Sequence, residues 1–230
     1  KREGLRVFDL SVFLPAPYLT LALPDHGAEV IKVEPPGGDP TRHIGASDGR
    51  SNVYFRSLNR GKKSVVLDLK DARNVERLLA LTATADVFVE SFRPGVCDRL
   101  GVGYAQVSQC NPGIVYCSVN AFGNSGPYRD RPAHDLAVEA LTGVLSMTLG
   151  DDGRPALPGL PMADIASGLN GLAGILMALI KRQRTGRGDY VEIAMLDSLL
   201  AATPNIMGPV LAENRAPDPK AQRTTGGAAF

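Results

Sequence analysis

The chain has no tryptophan, only three cysteines and three histidines, and a net charge of +1 over 230 residues. Each scarcity excludes something. Cys97, Cys110 and Cys117 are spaced for neither a zinc site nor a Cys-x-x-Cys redox pair. An odd, sparse set of thiols fits a reducing compartment, so a cytoplasmic protein is expected. His26, His43 and His134 are scattered, which argues against a histidine-built metal centre. A near-neutral balance gives no electrostatic case for nucleic acid or for an acidic membrane surface. The most apolar stretch, Gly168 to Ile180, reads as too short to cross a bilayer. The first residues lead straight into a strand, with no secretory leader pattern. No Gly-x-Gly-x-x-Gly follows that strand and no Walker A sequence occurs, so the dinucleotide and triphosphatase fingerprints are both missing.

What is present is ordinary globular composition, 44% hydrophobic and 21% charged, arranged in alternation. Leu5–Leu10 reads as a strand, Tyr18–His26 as a helix ended by Gly27, and Ala28–Val33 as a second, continuously apolar strand. That is a βαβ unit with a buried parallel sheet. Pro24, late in the helix, should kink or end it. Pro35–Asn52 is polar and rich in Gly and Pro, hence a loop. Further strands are expected at Lys63–Asp68, Ala85–Glu90, Gly113–Val119 and Tyr190–Ala194. Helices are expected at Asp71–Thr82, Ala105–Gln109, Leu136–Leu145, Gly168–Arg184 and from Leu196. The fold class is therefore α/β, a doubly wound and mostly parallel sheet. Residues 1–210 read as one Rossmann-like large domain. Residues 211–230 read as a linker, unpatterned from Ala216, leading to a small second domain absent from this chain.

Asp164 stands in Pro161-Met162-Ala163-Asp164, just before the long apolar helix that Thr185-Gly186-Arg187-Gly188 stops. A carboxylate at a helix N-terminus meets unpaired N–H groups and the positive end of the macrodipole, so it is expected to stay ionised and to be able to attack as a nucleophile. The same N–H groups could hold a developing oxyanion. The competing role is a helix N-cap, for which Asp is favoured. Gly168, Gly171 and Gly174 fall inside this helix, as close-packing positions rather than phosphate contacts.

In a doubly wound sheet the ligand sits beyond the strand C-termini. Three loops there are informative: Val12–Tyr18, whose N–H groups precede a helix, Glu90–Gly95 and Asn120–Tyr128. Basic residues gather beside them: Arg42, Arg60, Lys62, Lys63, Lys70, Arg93 and Arg99. Arg and Lys hold phosphate oxygens. Phe92, beside Arg93, offers either a flat face for a base or an ordinary buried ring.

Several separated segments carry a resemblance. Gly27-Ala-Glu-Val-Ile-Lys-Val-Glu-Pro-Pro-Gly-Gly-Asp39 with Thr41-Arg42, Asn59-Arg-Gly-Lys-Lys-Ser-Val-Val-Leu-Asp-Leu-Lys70 and Val89-Glu-Ser-Phe-Arg-Pro-Gly95 resemble the family III CoA-transferases (the CaiB/BaiF group). So do Phe122-Gly-Asn-Ser-Gly-Pro-Tyr128 and Arg182-Gln-Arg-Thr-Gly-Arg-Gly188. They occur in the family's order over nearly the whole chain. The resemblance implies a Rossmann-like large domain that binds coenzyme A as a substrate, a small domain, and two chains interlocked as a homodimer. It implies that Asp164 is the catalytic residue. It places CoA contacts at Leu14, Pro15, Leu67, Asp68, Lys70, Ser91, Phe92, Arg93, Arg99, His134 and Asp135. Where some members carry an Arg after the second-strand glutamate this chain has Pro35, so Arg42 is expected to substitute.

The implied activity is transfer of CoA between an acyl-CoA and a carboxylic acid, through an aspartyl anhydride and an aspartyl-CoA thioester on Asp164, with neither ATP nor metal. The alternative, from the related α-methylacyl-CoA racemases, uses His134 and Asp164 as an acid/base pair, since an imidazole suits proton transfer. Leu14, Phe122 and Met147 hint at a moderately hydrophobic acyl group.

Overall fold

The computed structural model describes residues 4–49, 52–216 and 219. Six strands form one sheet: β1 (Arg6–Asp9), β2 (Glu29–Glu34), β3 (Lys63–Val66), β4 (Val87–Glu90), β5 (Val115–Asn120) and β6 (Asp189–Ala194). Their order is β3-β2-β1-β4-β5-β6, and every neighbouring pair is parallel. The chain starts in the middle of the sheet, winds out to β3, returns beside β1 as β4, and winds out to β6. The expected doubly wound α/β class holds. Its winding reverses between β1 and β4, where such a sheet opens a crevice.

The inner strands β1, β2, β4 and β5 bury both faces, since side chains alternate across the sheet, while the edge strands β3 and β6 are partly exposed. Val7, Val87, Val89, Val115, Cys117 and Val119 point to one face, where α1 (Pro15–Asp25) and α7 (Met162–Thr185) cover them. Phe8, Phe88 and Tyr116 point to the other, among Leu78 of α3 (Ala72–Thr82), Cys97 of α4 (Val96–Arg99) and Val107 of α5 (Tyr104–Cys110). Cys97 and Cys117 serve as small core hydrophobes, and burial pushes both thiols up, out of reactive range.

All six expected strands form. Pro24 lies inside α1, which ends one residue later at Asp25. The unexpected elements are short: α2 (Val53–Asn59), α4, α9 (Pro204–Glu213) and a 3-10 turn at Pro40–His43 within the expected loop. Helices α6 (Asp135–Leu141) and α8 (Met195–Ala201) fall where expected. Two expectations need correction. Helix α7 begins at Met162 rather than Gly168 and runs 24 residues, long and apolar enough by length and composition to cross a membrane. Its Ile175, Ala178 and Leu179 nevertheless pack in the core. The boundary at residue 210 falls inside α9, so the expected linker's first three residues are helical. Most of that linker (217, 218 and 220–230) lies outside the described residues.

Glycines set the distance between α7 and α1. A β-carbon on Gly168 would come within 2.9 Å of the Pro15 carbonyl oxygen and 2.8 Å of the Tyr18 ring. On Gly171 its one overlap would be with the end of the Leu19 side chain, Ile193 lying at ordinary contact distance, and on Gly174 it would meet a Val191 methyl at 2.7 Å. The close-packing role expected of these glycines is what the structure shows. Gly168→Ala should destabilise the protein by about 1–3 kcal/mol despite alanine's better helix propensity, because the obstacle is backbone. Gly171→Ala should cost less, because a terminal methyl can turn away. Equal melting temperatures for wild type and Gly168→Ala would refute this packing.

Candidate active site

A cavity of about 430 Å³ opens at the crevice between β1 and β4. Four segments wall it: the β1–α1 loop from Val12 to Pro15, the β4–α4 loop from Ser91 to Pro94, the end of β5, and residues 129 and 131–134 before α6. Asp164 from α7, Tyr54 from α2 and Met195 from α8 complete it. Ser91 ties two of the walls together, its Oγ accepting the Val12 N–H at 3.1 Å. Phe13 is held at φ 61°, a left-handed conformation costly for a bulky residue. Its ring meets the edge of His134 at 6.4 Å.

Asp164 lies on this cavity, but not as the N-cap. Pro161 holds that position, and Asp164 is in the first turn without a side-chain capping bond. Nor are the N–H groups of Met162 and Asp164 free for an oxyanion. The Met162 N–H donates to Glu139 Oε1 and the Asp164 N–H to Asp135 Oδ1, both at 3.1 Å. Acids from α6 thus cap α7 from outside. The result reverses a second expectation: Asp164 is not held as an anion. Burial, then the charges of Asp135 and Glu139, raise its carboxyl to about 7. Burial and Asp135 also push Glu139 up. Among the described residues no Lys or Arg pairs with Asp135, Glu139 or Asp164.

Of the residues expected at the site, the cavity gathers Leu14, Pro15, Ser91, Phe92, Arg93 and His134 with Asp164, and Asp135 stands directly behind. His134 occupies the N-cap position of α6 without a side-chain cap bond. Phe92 is part of the wall and also packs on the core below. The others lie elsewhere. Leu67, Asp68 and Lys70 follow edge strand β3, where Leu67 packs in the core and Asp68 Oδ1 accepts the Lys70 N–H. Arg99 closes α4, its guanidinium alongside Gly95. Neither Phe122, edge-on to Tyr128, nor Met147 reaches the cavity.

Several cations expected near phosphate are committed internally. Arg42 forks onto Glu34 with two 2.6 Å hydrogen bonds and stacks on the Phe55 ring. Its carboxylate partner is carried down to about 2, as the fork, Ser64 and the Asp39 N–H outweigh burial. Lys62 is buried, its Nζ on Asp9, Thr20, Asn59 and the Pro17 carbonyl. Arg60 pairs with Asp25 and Lys63 with Glu29, away from the strand C-termini. The β1–α1 loop also offers fewer N–H groups than expected, since Pro15 and Pro17 occupy the first turn of α1.

Tyr54, Arg129 and Arg131 are site residues that the sequence reading missed. Asn52 caps α2, accepting the Tyr54 N–H at 2.9 Å, and so aims Tyr54 at the cavity. Burial and Asp164 raise the Tyr54 phenol, which remains a hydrogen-bond donor at neutral pH. Arg131 lies over the Tyr128 ring at 4.2 Å. The signal for the arginines was a doubly basic stretch, Arg129-Asp130-Arg131, immediately before His134.

With the site described, similarity to known proteins can be stated. The model of CoA-transferase family III matches residues 3–230. The chain is 42% identical over 201 residues to acetyl-CoA:oxalate CoA-transferase of Acetobacter aceti, covering 86% of this chain and 52% of that one. It is 38% identical over 206 residues to succinyl-CoA:glutarate CoA-transferase of Homo sapiens, covering 89% and 47%. A CaiB/BaiF family protein from Brucella suis superposes with a TM-score of 0.89 at 36% identity, over 94% of this chain and 58% of that one. The chain spans about half the length of the curated relatives it matches. By the match along its length and by the relatives' identity, this chain belongs to CoA-transferase family III.

Proposed function

We propose that this chain is the CoA-binding, nucleophile-bearing part of an enzyme that moves CoA between an acyl-CoA and a short carboxylic acid. One observation carries the reading: an acid of raised basicity, Asp164, on the wall of the switch-point cavity. A desolvated carboxylate of higher pKa is the stronger nucleophile once ionised.

Asp164 attacks the thioester carbonyl. The C–S bond breaks, CoA leaves as thiolate, and a mixed anhydride forms. Thiolate then attacks the Asp164 carbonyl, which releases the donor acid as carboxylate and leaves an aspartyl-CoA thioester. The acceptor carboxylate repeats both steps in reverse and regenerates Asp164. Each step exchanges one activated acyl bond for another, so neither ATP nor metal enters. A cavity of this size takes the reacting end of the substrate. The remainder of CoA would run over the strand ends, past Arg93 and Arg99 toward Leu67, Asp68 and Lys70. Arg93, Arg129 and Arg131 line the cavity, and the relatives named above act on oxalate and glutarate. We therefore assign short dicarboxylic acids as substrates, in place of a hydrophobic acyl group. The full-length enzyme would be a cytoplasmic homodimer, with the exposed Leu169, Leu176, Met177 and Ile180 of α7 as candidate contact residues.

His134 lines the same cavity as Asp164, which keeps racemisation as the second reading. Solvent deuterium entering the substrate α-position without an acceptor acid would favour it.

Hydroxylamine added during turnover should trap Asp164 as a hydroxamate. The logarithm of kcat/KM should rise with pH and level off above about 7, as Asp164 ionises. An active Asp164→Asn enzyme, or no adduct under turnover, refutes the mechanism. The same carboxyl makes stability depend on pH. Its folded-state value of about 7 exceeds the ordinary 3.8, so folding favours the protonated form. The stabilising contribution is complete below about pH 4 and is lost as pH rises through 7. Asparagine never ionises. Asp164→Asn should match wild type near pH 4 and exceed it at pH 8, by on the order of 4 kcal/mol at most. Parallel pH–stability curves would contradict this. For the CoA tail, Arg93→Ala with Arg99→Ala should weaken CoA binding by a few kcal/mol, at roughly 1.5–3 for each charge-assisted hydrogen bond. Unchanged affinity by calorimetry would place both arginines outside the CoA path.

A further inference from the structure

Arg93, Arg129 and Arg131 line the cavity in different settings. Arg93 stands on the proposed CoA path. Arg129 turns the same way: a β-carbon on Gly95 would lie 3.7 Å from its Nη2 and 3.3 Å from Nη1 of Arg99. Arg129 also has an acid within reach, the exposed Asp130 at 3.3 Å. Arg131 differs from both. Its guanidinium lies over the Tyr128 ring, 4.2 Å from the centroid, and Phe122 meets that ring edge-on at 5.4 Å. Backbone closes the arrangement, since the Arg131 N–H donates to the Tyr128 carbonyl at 2.9 Å. Among the described residues no carboxylate pairs with Arg131.

The same chain contains the complete form of this arrangement. Arg42 lies over the Phe55 ring at 3.7 Å and forks onto Glu34 through two 2.6 Å hydrogen bonds. A ring beneath a guanidinium fixes its plane and leaves the N–H edge to a carboxylate lying in that plane. At Arg131 the chain supplies the ring but no carboxylate of its own. Asp164, on the wall of the same cavity, is not the partner, and an ion pair there would remove the basicity that the reaction uses. A doubly negative acid that approaches Asp135 and Asp164 also needs a cation beside it. We propose that Arg131 is a specificity-determining residue: its fork takes the far carboxylate of a dicarboxylic substrate while the near carboxylate reacts at Asp164. Tyr128, backed by Phe122, is the positioning residue that holds the guanidinium. This rests on the dicarboxylate reading of the site and assigns its selectivity to one side chain. The donor's acyl group and the accepting acid occupy the same place in turn, so one anchor serves both half-reactions.

The test uses the full-length enzyme, with acetyl-CoA or succinyl-CoA as donor, whichever the wild type accepts. The acceptors are oxalate, succinate and glutarate, each against its monoamide (oxamate, succinamate and glutaramate), which keeps the shape and loses one charge. Wild type should prefer the dicarboxylate it uses best over the monoamide by on the order of 10- to 100-fold in kcat/KM. Arg131→Met keeps an apolar stem over Tyr128 but neither charge nor fork. It should raise KM for that dicarboxylate by on the order of 10- to 100-fold, hold kcat within about threefold and abolish the preference. Arg131→Lys, a charge without the planar fork, should fall between. Tyr128→Leu should move KM in the same direction by a smaller factor. The affinity of each variant for free CoA, by calorimetry, should equal that of wild type. Weakened CoA binding in Arg131→Met would mark a phosphate contact and overturn the proposal. Arg131→Met that keeps the wild-type preference, or that loses dicarboxylate and monoamide equally, overturns it too. Arg131 is exposed, so its replacement leaves the core intact, and equal melting temperatures check this. A wild type that takes every monoamide as readily as its dicarboxylate refutes the substrate reading itself. The nucleophile reading fails separately, through a missing hydroxylamine adduct.

Discussion

The site depends on how closely α7 approaches α1. Gly168 lets the two helices approach until a β-carbon would overlap the Pro15 carbonyl, and Pro15 is itself a wall of the cavity. The helix that brings Asp164 and the loop that faces it are thus held to one spacing by backbone, which yields far less than a side chain. Packing below the site transmits the same constraint. Leu19 of α1 and Ile175 of α7 share one core with Val7, Val87 and Val119 of the sheet, so the crevice cannot widen without disturbing that core.

The electrostatics separate the molecule into two regimes. Around β1 and β2 the buried charges are matched. Lys32 binds Asp39 at 2.8 Å and the Ser11 carbonyl, and Lys62 binds Asp9. Burial alone would raise Asp9, but Lys62, Lys32 and the hydroxyls of Ser11 and Thr20 outweigh it and hold the carboxyl near 2. Elsewhere in the same domain, Asp135, Glu139 and Asp164 share a site with no cation paired to them among the described residues. The first cluster holds strands and loops in place. The second keeps a carboxyl poised near neutrality, which a stable ion pair would abolish. A nucleophile of the same residue type placed beside Lys62 would be ionised but weak.

Sequence periodicity and turn residues made the sheet legible, because strands buried on both faces are continuously apolar and are bounded by Gly and Pro. Asp164 was legible through its setting among several motifs. Its protonation was not, because the helix N-terminus that should favour the anion is capped by Glu139 and Asp135, acids 23 and 29 positions back from the N–H groups they accept. The cations were the hardest to read. Arg42, Lys62 and Arg93 look alike as letters, yet the first two are drawn inward by Glu34 and Asp9, and of the three only Arg93 reaches the cavity. Ion pairing is decided by tertiary proximity, which local pattern does not carry. The short helix α2 escaped notice for a related reason. Its signal is one capping residue, Asn52, next to a long loop, and its value to the site is the single side chain of Tyr54.

The strand order β3-β2-β1-β4-β5-β6 is that of dinucleotide-binding sheets, yet the position that binds pyrophosphate in those folds is built differently here. A pyrophosphate site after β1 needs glycines for close approach and free N–H groups at the start of the first helix. This chain places Pro15 and Pro17 there, and Leu14 caps the helix with no side-chain bond. Two of the N–H groups that would meet a phosphate do not exist. The Tyr18 N–H is already given to the Leu14 carbonyl. The same prolines stiffen the turn that carries Phe13 and Leu14 into the cavity, so a loop unfit to cradle phosphate becomes a fixed apolar wall opposite Asp164. The proposed path for the CoA phosphates therefore runs outside that turn, past the exposed Arg93 after β4 and Arg99 at the end of α4. With glycine and N–H donors missing from that loop, the switch point is lined instead by a carboxylate, Asp164, and by apolar side chains.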